Sequence, residues 1–143
     1  MTSAPHSVTF LHTSDLQLGM SRWFLEGEAQ ARFDAARLAT LHRLGEVALE
    51  HGAAFIVIAG DVFDSNSLSA QTMGRALEAL RALPVPVHLL PGNHDPLVAD
   101  SVFRLIDVDG VLLLGDSEVV EVAPGVELVG APLLARTAAT DLV

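Results

Sequence analysis

Three short polar clusters carry the residues able to do chemistry in this sequence: Ser14-Asp15-Leu16-Gln17, Gly60-Asp61-Val62-Phe63-Asp64 and Gly92-Asn93-His94-Asp95. Each follows an apolar run that reads as a buried strand, so each stands where a strand ends. In an open α/β sheet, ligands bind in the crevice beyond the carboxyl ends of the strands. Clusters far apart in sequence can therefore converge on one site. Carboxylate and amide oxygens with an imidazole beside them suit a divalent cation. An imidazole so placed can also protonate a leaving oxygen or stabilise charge on a phosphate.

Each cluster also has a plainer explanation. Gly60 lets the backbone turn sharply and approach a ligand closely, yet Asp61 could equally bond its own turn backbone. Asp64 could orient the loop, or orient a metal ligand from behind it. Turn chemistry accounts for Pro91, Gly92 and Asn93 and leaves His94 and Asp95 unexplained. Asp15 and Gln17, two residues apart just past a strand, could reach one ion or belong to a solvated loop. His12 and His88 fall inside strands, and His42 and His51 on or at the end of a helix; all four read as structural. Arg22 and Trp23, in the irregular stretch beyond Gln17, read as packing that loop, with contact to a substrate phosphate or base as the alternative.

The elements that must position these clusters follow from hydrophobic periodicity. Val8–Thr13 is a short β-branched and aromatic run, a strand. From Glu28 to about His51 the pattern is helical, with Phe33, Arg37, Leu41, Leu44 and Ala48 at spacings of three and four. Gly52 is its natural stop. Phe55–Ala59 is a continuous apolar run, as in a strand covered on both faces. A second helix over Ser69–Leu83 aligns Met73, Leu77, Leu80 and Leu83, with Ser67 or Ser69 as cap and Pro84 as terminator. Val85–Leu90 and Val111–Leu114 are further strands, joined by a short helix near Asp100–Asp107. Glu118–Val122 and Val126–Gly130 alternate polar and apolar residues around Ala123-Pro124-Gly125, the pattern of an antiparallel hairpin. The order predicts an α/β fold, a mostly parallel sheet followed by a β-hairpin.

A chain of 143 residues is one domain or part of one, and at that size folding buries roughly 70% of the unfolded surface. Half the residues are hydrophobic and 18% charged, which excludes a disordered chain. The apolar runs are too short to span a bilayer, and Met1–His6 lacks the basic start of a signal peptide. A cytoplasmic location without a membrane partner is expected. The absence of cysteine excludes disulfides, thiolate catalysis and cysteine zinc sites. A net charge of −10 counts against a simple nucleic-acid-binding module, which shows a basic face. Acidic residues gathered at one site would instead repel phosphate until cations neutralise them.

Taken together and in order, the three clusters resemble those of the calcineurin-like metallophosphoesterases. The run Phe10-Leu11-His12-Thr13-Ser14-Asp15-Leu16-Gln17-Leu18-Gly19, with Gly60-Asp61-Val62-Phe63-Asp64, is similar to the SbcD-type double-strand-break repair exonucleases. The likeness runs from about Val8 to Gly130. It implies a two-sheet sandwich flanked by helices, of which this chain supplies the N-terminal half, and two divalent metal ions, usually manganese. It further implies Asp15 on the first metal, Asp61 bridging both and Asn93 on the second. His94 would contact the scissile phosphate and assist the leaving oxygen, and Asp95 would orient His94. A phosphodiester substrate, DNA, and an ATPase partner subunit are implied in the same way. A small-nucleotide or protein phosphoesterase and a catalytically degenerate scaffold are the alternatives.

Two departures from the family pattern matter. Gln17 stands where the family has His; its side-chain carbonyl is a weaker, neutral ligand that would favour harder cations. The family also has later histidines, one alone and one pair in Gly-His-x-His, whereas no His follows His94. Residues 1–143 are therefore expected to be the N-terminal part of a truncated metallophosphoesterase domain. Such a piece would expose apolar surface, self-associate, and be weak or inactive by itself.

Overall fold

The computed structural model describes residues 7–137. In chain order it contains β1 (Leu11–Thr13), α1 (Glu28–Glu50), β2 (Ile56–Ala59), α2 (Ala70–Arg81), β3 (Val87–Leu90), a 3-10 turn (Val102–Leu105), β4 (Val111–Leu113), β5 (Val119–Ala123) and β6 (Val126–Val129). Strands β1 to β4 form a parallel sheet in that order, and β5 and β6 pair as an antiparallel hairpin. This is the α/β arrangement expected from the sequence. Strand order follows chain order, so the sheet has no reversal point among the described strands. Any site must then be built by the loops that leave adjacent strand ends.

The helices stop and start as their residues dictate. Beyond α1, Gly52 adopts φ 60 and donates to Leu49 O at 3.2 Å, while Ala53 N donates to Ala48 O at 2.8 Å. That pair of bonds is the Schellman closure that a left-handed glycine permits. Ser69, rather than Ser67, caps α2 by accepting from Thr72 N at 3.1 Å. Leu41 and Ala48 of α1 and Met73, Ala76 and Leu80 of α2 share one core with Ile56, Ile58, Val87 and Leu89 of the sheet. Period-two strand residues thus meet helical residues spaced by three and four. Val57 and His88, paired across β2 and β3 on the alternate face, are buried as well.

Three expectations need correction. The strand expected over Val8–Thr13 begins only at Leu11, where regular pairing with β2 starts. The helix expected near Asp100–Asp107 is a four-residue 3-10 turn, capped by Ser101 and left by Ile106 in extended conformation. A segment that short cannot repay the cost of nucleating an α-helix. Trp23 does not pack its loop: it is 93% exposed, with its ring edge-on to Phe24 at 5.8 Å. Phe10, Leu112, Val119 and Val129 are exposed apolar residues. Among the described residues no helix is long and apolar enough to cross a membrane.

His88 makes stability pH-dependent. Its ring lies edge-on to Phe55 at 5.7 Å, and Nδ1 has no protein hydrogen-bond partner. Burial pushes the imidazole below its ordinary 6.5. The unfolded chain therefore takes up this proton first, so stability present above the ordinary value is lost as pH falls toward the folded one. Urea midpoints should fall between about pH 7 and pH 5, and His88→Gln should flatten that slope. An unchanged slope in the variant would assign the effect elsewhere.

Candidate metal centre at three strand ends

The ladder between β1 and β2 continues past both strands. Asp15 N donates to Gly60 O at 3.1 Å, Gln17 N to Asp61 O at 2.9 Å and Leu18 N to Val62 O at 2.9 Å, and Asp64 N returns to Leu18 O at 3.0 Å. On the other side, Gly60 N donates to Leu90 O at 3.0 Å. The loops after β1, β2 and β3 are laced edge to edge. The lacing requires unusual backbone. Asp15 (φ 56), Gln17 (φ 46) and Asp61 (φ 51) are left-handed, and they are the only non-glycine residues with positive φ among the described residues. The left-handed region costs an ordinary residue such as Gln17 roughly 1–2 kcal/mol and an Asp less, and strain of this kind concentrates at functional sites.

Asp15, Asp61 and Asn93 line one open cleft of about 370 Å³, with Gly60, Gly92 and Leu133 among its other walls. The structure thus brings together three of the four candidate metal ligands. Gln17 and His94 are not among the cleft's lining residues. Asp61 is buried, and its Oδ1 accepts from His94 N at 3.0 Å. Ser14 Oγ donates to Oδ2 of Asp15. Two carboxylates and an amide oxygen are hard donors that fit a divalent cation. No group of three or more His, Cys, Asp or Glu suited to a metal forms among the described residues. The cleft therefore offers part of a coordination sphere, with Asn93 as its neutral member.

Asp95 has a different task from the one expected. It is completely buried, and its oxygens accept from Gly92 N at 2.7 Å and Phe63 N at 2.9 Å. Those bonds tie the loop after β3 to the loop after β2, and none reaches the His94 ring. Burial pushes the Asp95 carboxyl above its ordinary range and nearby Asp61 adds to the rise, while the backbone N–H donors pull it back. The His94 ring is met by Asp64, whose backbone carbonyl lies 3.2 Å from Nδ1. A proton on Nδ1 would satisfy that carbonyl and leave Nε2 as the exchanging nitrogen.

Sequence reasoning missed Asn66. Its Nδ2 donates to Pro96 O at 2.9 Å and its Oδ1 accepts from Val102 N at 3.0 Å, so one amide clamps the second and third loops. Nothing in the spacing of the sequence marks it, because both partners lie about thirty residues away.

The sequence profile of the calcineurin-like phosphoesterase family matches residues 8–135. The chain is similar to the DNA double-strand break repair protein Mre11 of Archaeoglobus fulgidus, with 33% identity over 107 residues that cover 72% of this chain and 23% of that protein. It is also similar to the uncharacterized metallophosphoesterase YhaO of Bacillus subtilis, with 34% identity over 98 residues covering 63% of this chain and 24% of that protein. The chain spans about a quarter of the length of these curated relatives.

Proposed function

Because the chain belongs to the calcineurin-like phosphoesterase family, we propose that its three strand-end loops hold divalent metal for phosphodiester hydrolysis, with DNA as the substrate of the whole protein. One observation carries this reading. The left-handed non-glycine residues Asp15, Gln17 and Asp61 are all candidate ligands, and two of them share a cleft with Asn93. Strain retained at such positions needs a use, and presenting Asp15 and Asp61 to the cleft beside Asn93 supplies it.

Bound divalent ions, two of them and manganese by preference, would supply Lewis-acid neutralisation of charge on the phosphoryl oxygens. Asp15 would hold the first, Asp61 would be shared between the two, and Asn93 would hold the second. Gln17, which does not line the cleft, would have to turn its side-chain oxygen into it to add a neutral ligand. His94, with Nδ1 satisfied by the Asp64 carbonyl, would deliver a proton from its ring to the leaving oxygen. Asp95 would fix the distance between the loops that carry Asp61 and His94.

The similarity to a protein named for DNA double-strand break repair directs the substrate reading to DNA. An ATPase partner subunit, a cytoplasmic location and self-association through exposed apolar residues such as Leu112, Val119 and Val129 complete it. We take the chain as the N-terminal part of a larger phosphoesterase domain. The 143 residues alone should bind manganese yet hydrolyse bis-p-nitrophenyl phosphate weakly, while a chain extended to the length of its relatives should hydrolyse it readily. Equal rates from the two would overturn the partial-site reading. Absence of manganese binding would favour the degenerate scaffold, for which Gln17 in place of His is the supporting observation.

A further inference from the structure

Leu16 lies between two left-handed residues, Asp15 and Gln17. Among the described residues no backbone N–H donates to its carbonyl. The donor comes from the middle of α1 instead: Arg37 Nη1 reaches Leu16 O at 2.5 Å. The same guanidinium directs Nη2 to Met20 Sδ at 3.2 Å and stacks over the Phe33 ring, 4.8 Å from its centroid. Its Nε is buried and has no acceptor. Among the described residues Arg37 takes part in no ion pair; those present lie on the exposed face of α1 around Arg43.

This is an odd arrangement for a residue kept for stability alone. A partly buried cation with no carboxylate partner and one unmet N–H is costly, and an apolar side chain of similar volume would pack the position at lower cost. What the guanidinium does supply is a rigid fork that grips two acceptors in one loop, which an ammonium cannot reproduce. Both acceptors belong to the segment that carries Asp15 and Gln17, and Arg37 also lines the space beside Ser14 and Asp15.

We propose that Arg37 is a positioning residue for the divalent cation, holding Asp15 and Gln17 in their left-handed geometry through the Leu16 carbonyl. The inference rests on the reading of this cleft as a metal centre. Without that donor, Leu16 is free to turn, both neighbours can relax out of the left-handed region, and the Asp15 carboxylate leaves the cleft wall. Coulomb's law alone says the opposite, since removing a positive charge near a cation site should tighten cation binding. The sign of the effect therefore decides between them.

The test is manganese titration of the 143-residue chain, followed by loss of the electron paramagnetic resonance signal of free manganese. Arg37→Met should weaken binding about tenfold or more, the range seen when support behind a metal ligand is removed. Arg37→Lys, which keeps the charge, should also weaken it, because it cannot grip both acceptors. Met73→Ala, a core truncation in α2 that leaves the Arg37 bond to Leu16 O in place, should lower the urea midpoint and leave manganese affinity within about twofold. Wild-type-like or tighter binding by Arg37→Met or Arg37→Lys overturns the inference and leaves the metal reading standing. Equal weakening by Met73→Ala overturns it too, by reducing the effect to stability. No binding by the wild-type chain overturns both.

Discussion

Replacing Gly92 with alanine is expected to cost about 3–5 kcal/mol of folding stability, the sum of overpacking and a damaged bond to a buried carboxylate. A Cβ at this position would lie 2.5 Å from Asp61 N and 3.1 Å from Asp61 Cγ. Neither group can retreat. Asp61 is buried, its Oδ1 accepts from His94 N, and its carbonyl accepts from Gln17 N. Gly92 N also donates to Asp95 Oδ1 at 2.7 Å, so displacing Gly92 strips a donor from a completely buried acid. The requirement here is space, since Gly92 is not among the glycines with positive φ. Gly74 in α2 is the natural contrast, because a Cβ there meets nothing within 4 Å. Gly74→Ala should stabilise by up to about 1 kcal/mol through helix propensity. Urea denaturation of the two variants measures both effects, and a Gly92→Ala midpoint close to the parent's would refute the close approach of the two loops.

Asp61→Asn should leave the fold nearly intact and remove metal affinity. Asn tolerates the left-handed backbone as Asp does, and its side-chain oxygen can still accept from His94 N. Only the charge and one anionic donor are lost. Manganese affinity should fall by about 100-fold or more, beyond the range for support residues, while unfolding free energy changes by less than about 1 kcal/mol. The variant also acts on Asp95, whose carboxyl is held up partly by the Asp61 charge. A carboxyl raised in the folded state contributes stability that is complete below its ordinary 3.8 and is lost as pH rises through the folded value. Asp61→Asn should lessen that loss, and urea midpoints taken across the acid range report it.

The strands, the two long helices and the hairpin were legible because their signals are local: an apolar run, a period of three and four, a Pro-Gly turn. The 3-10 turn was read as a helix because its composition is apolar, and composition does not count residues closely enough to separate four from eight. Asp15, Asp61 and Asn93 were legible as one site because a parallel sheet sends the ends of adjacent strands to one edge. Their left-handed backbones were not, since no glycine marks Asp15, Gln17 or Asp61 and the conformation comes from lacing one loop to the next. Asp95 was given to His94 because the two are neighbours in sequence, but its acceptor capacity goes to Phe63 N, 32 residues away. Arg37 counted only as a point in a helical period. Its acceptor lies 21 residues upstream, and only the folded chain shows it. Trp23 differs for a related reason: an aromatic in an irregular segment looks like packing, whereas the fold leaves this one exposed with only the edge of Phe24 beside it.

The central claim is that Asp15, Asp61 and Asn93 together form one divalent-metal centre. Nitrogen-15 amide spectra of the 143-residue chain during substoichiometric manganese addition test it most directly. The account predicts paramagnetic loss of the amide signals around Asp15, Asp61 and Asn93 together, reversed by chelator and absent in Asp61→Asn. Uniform spectra at every manganese level, or broadening centred on the exposed acids of α1 such as Glu46 and Glu50, would contradict it.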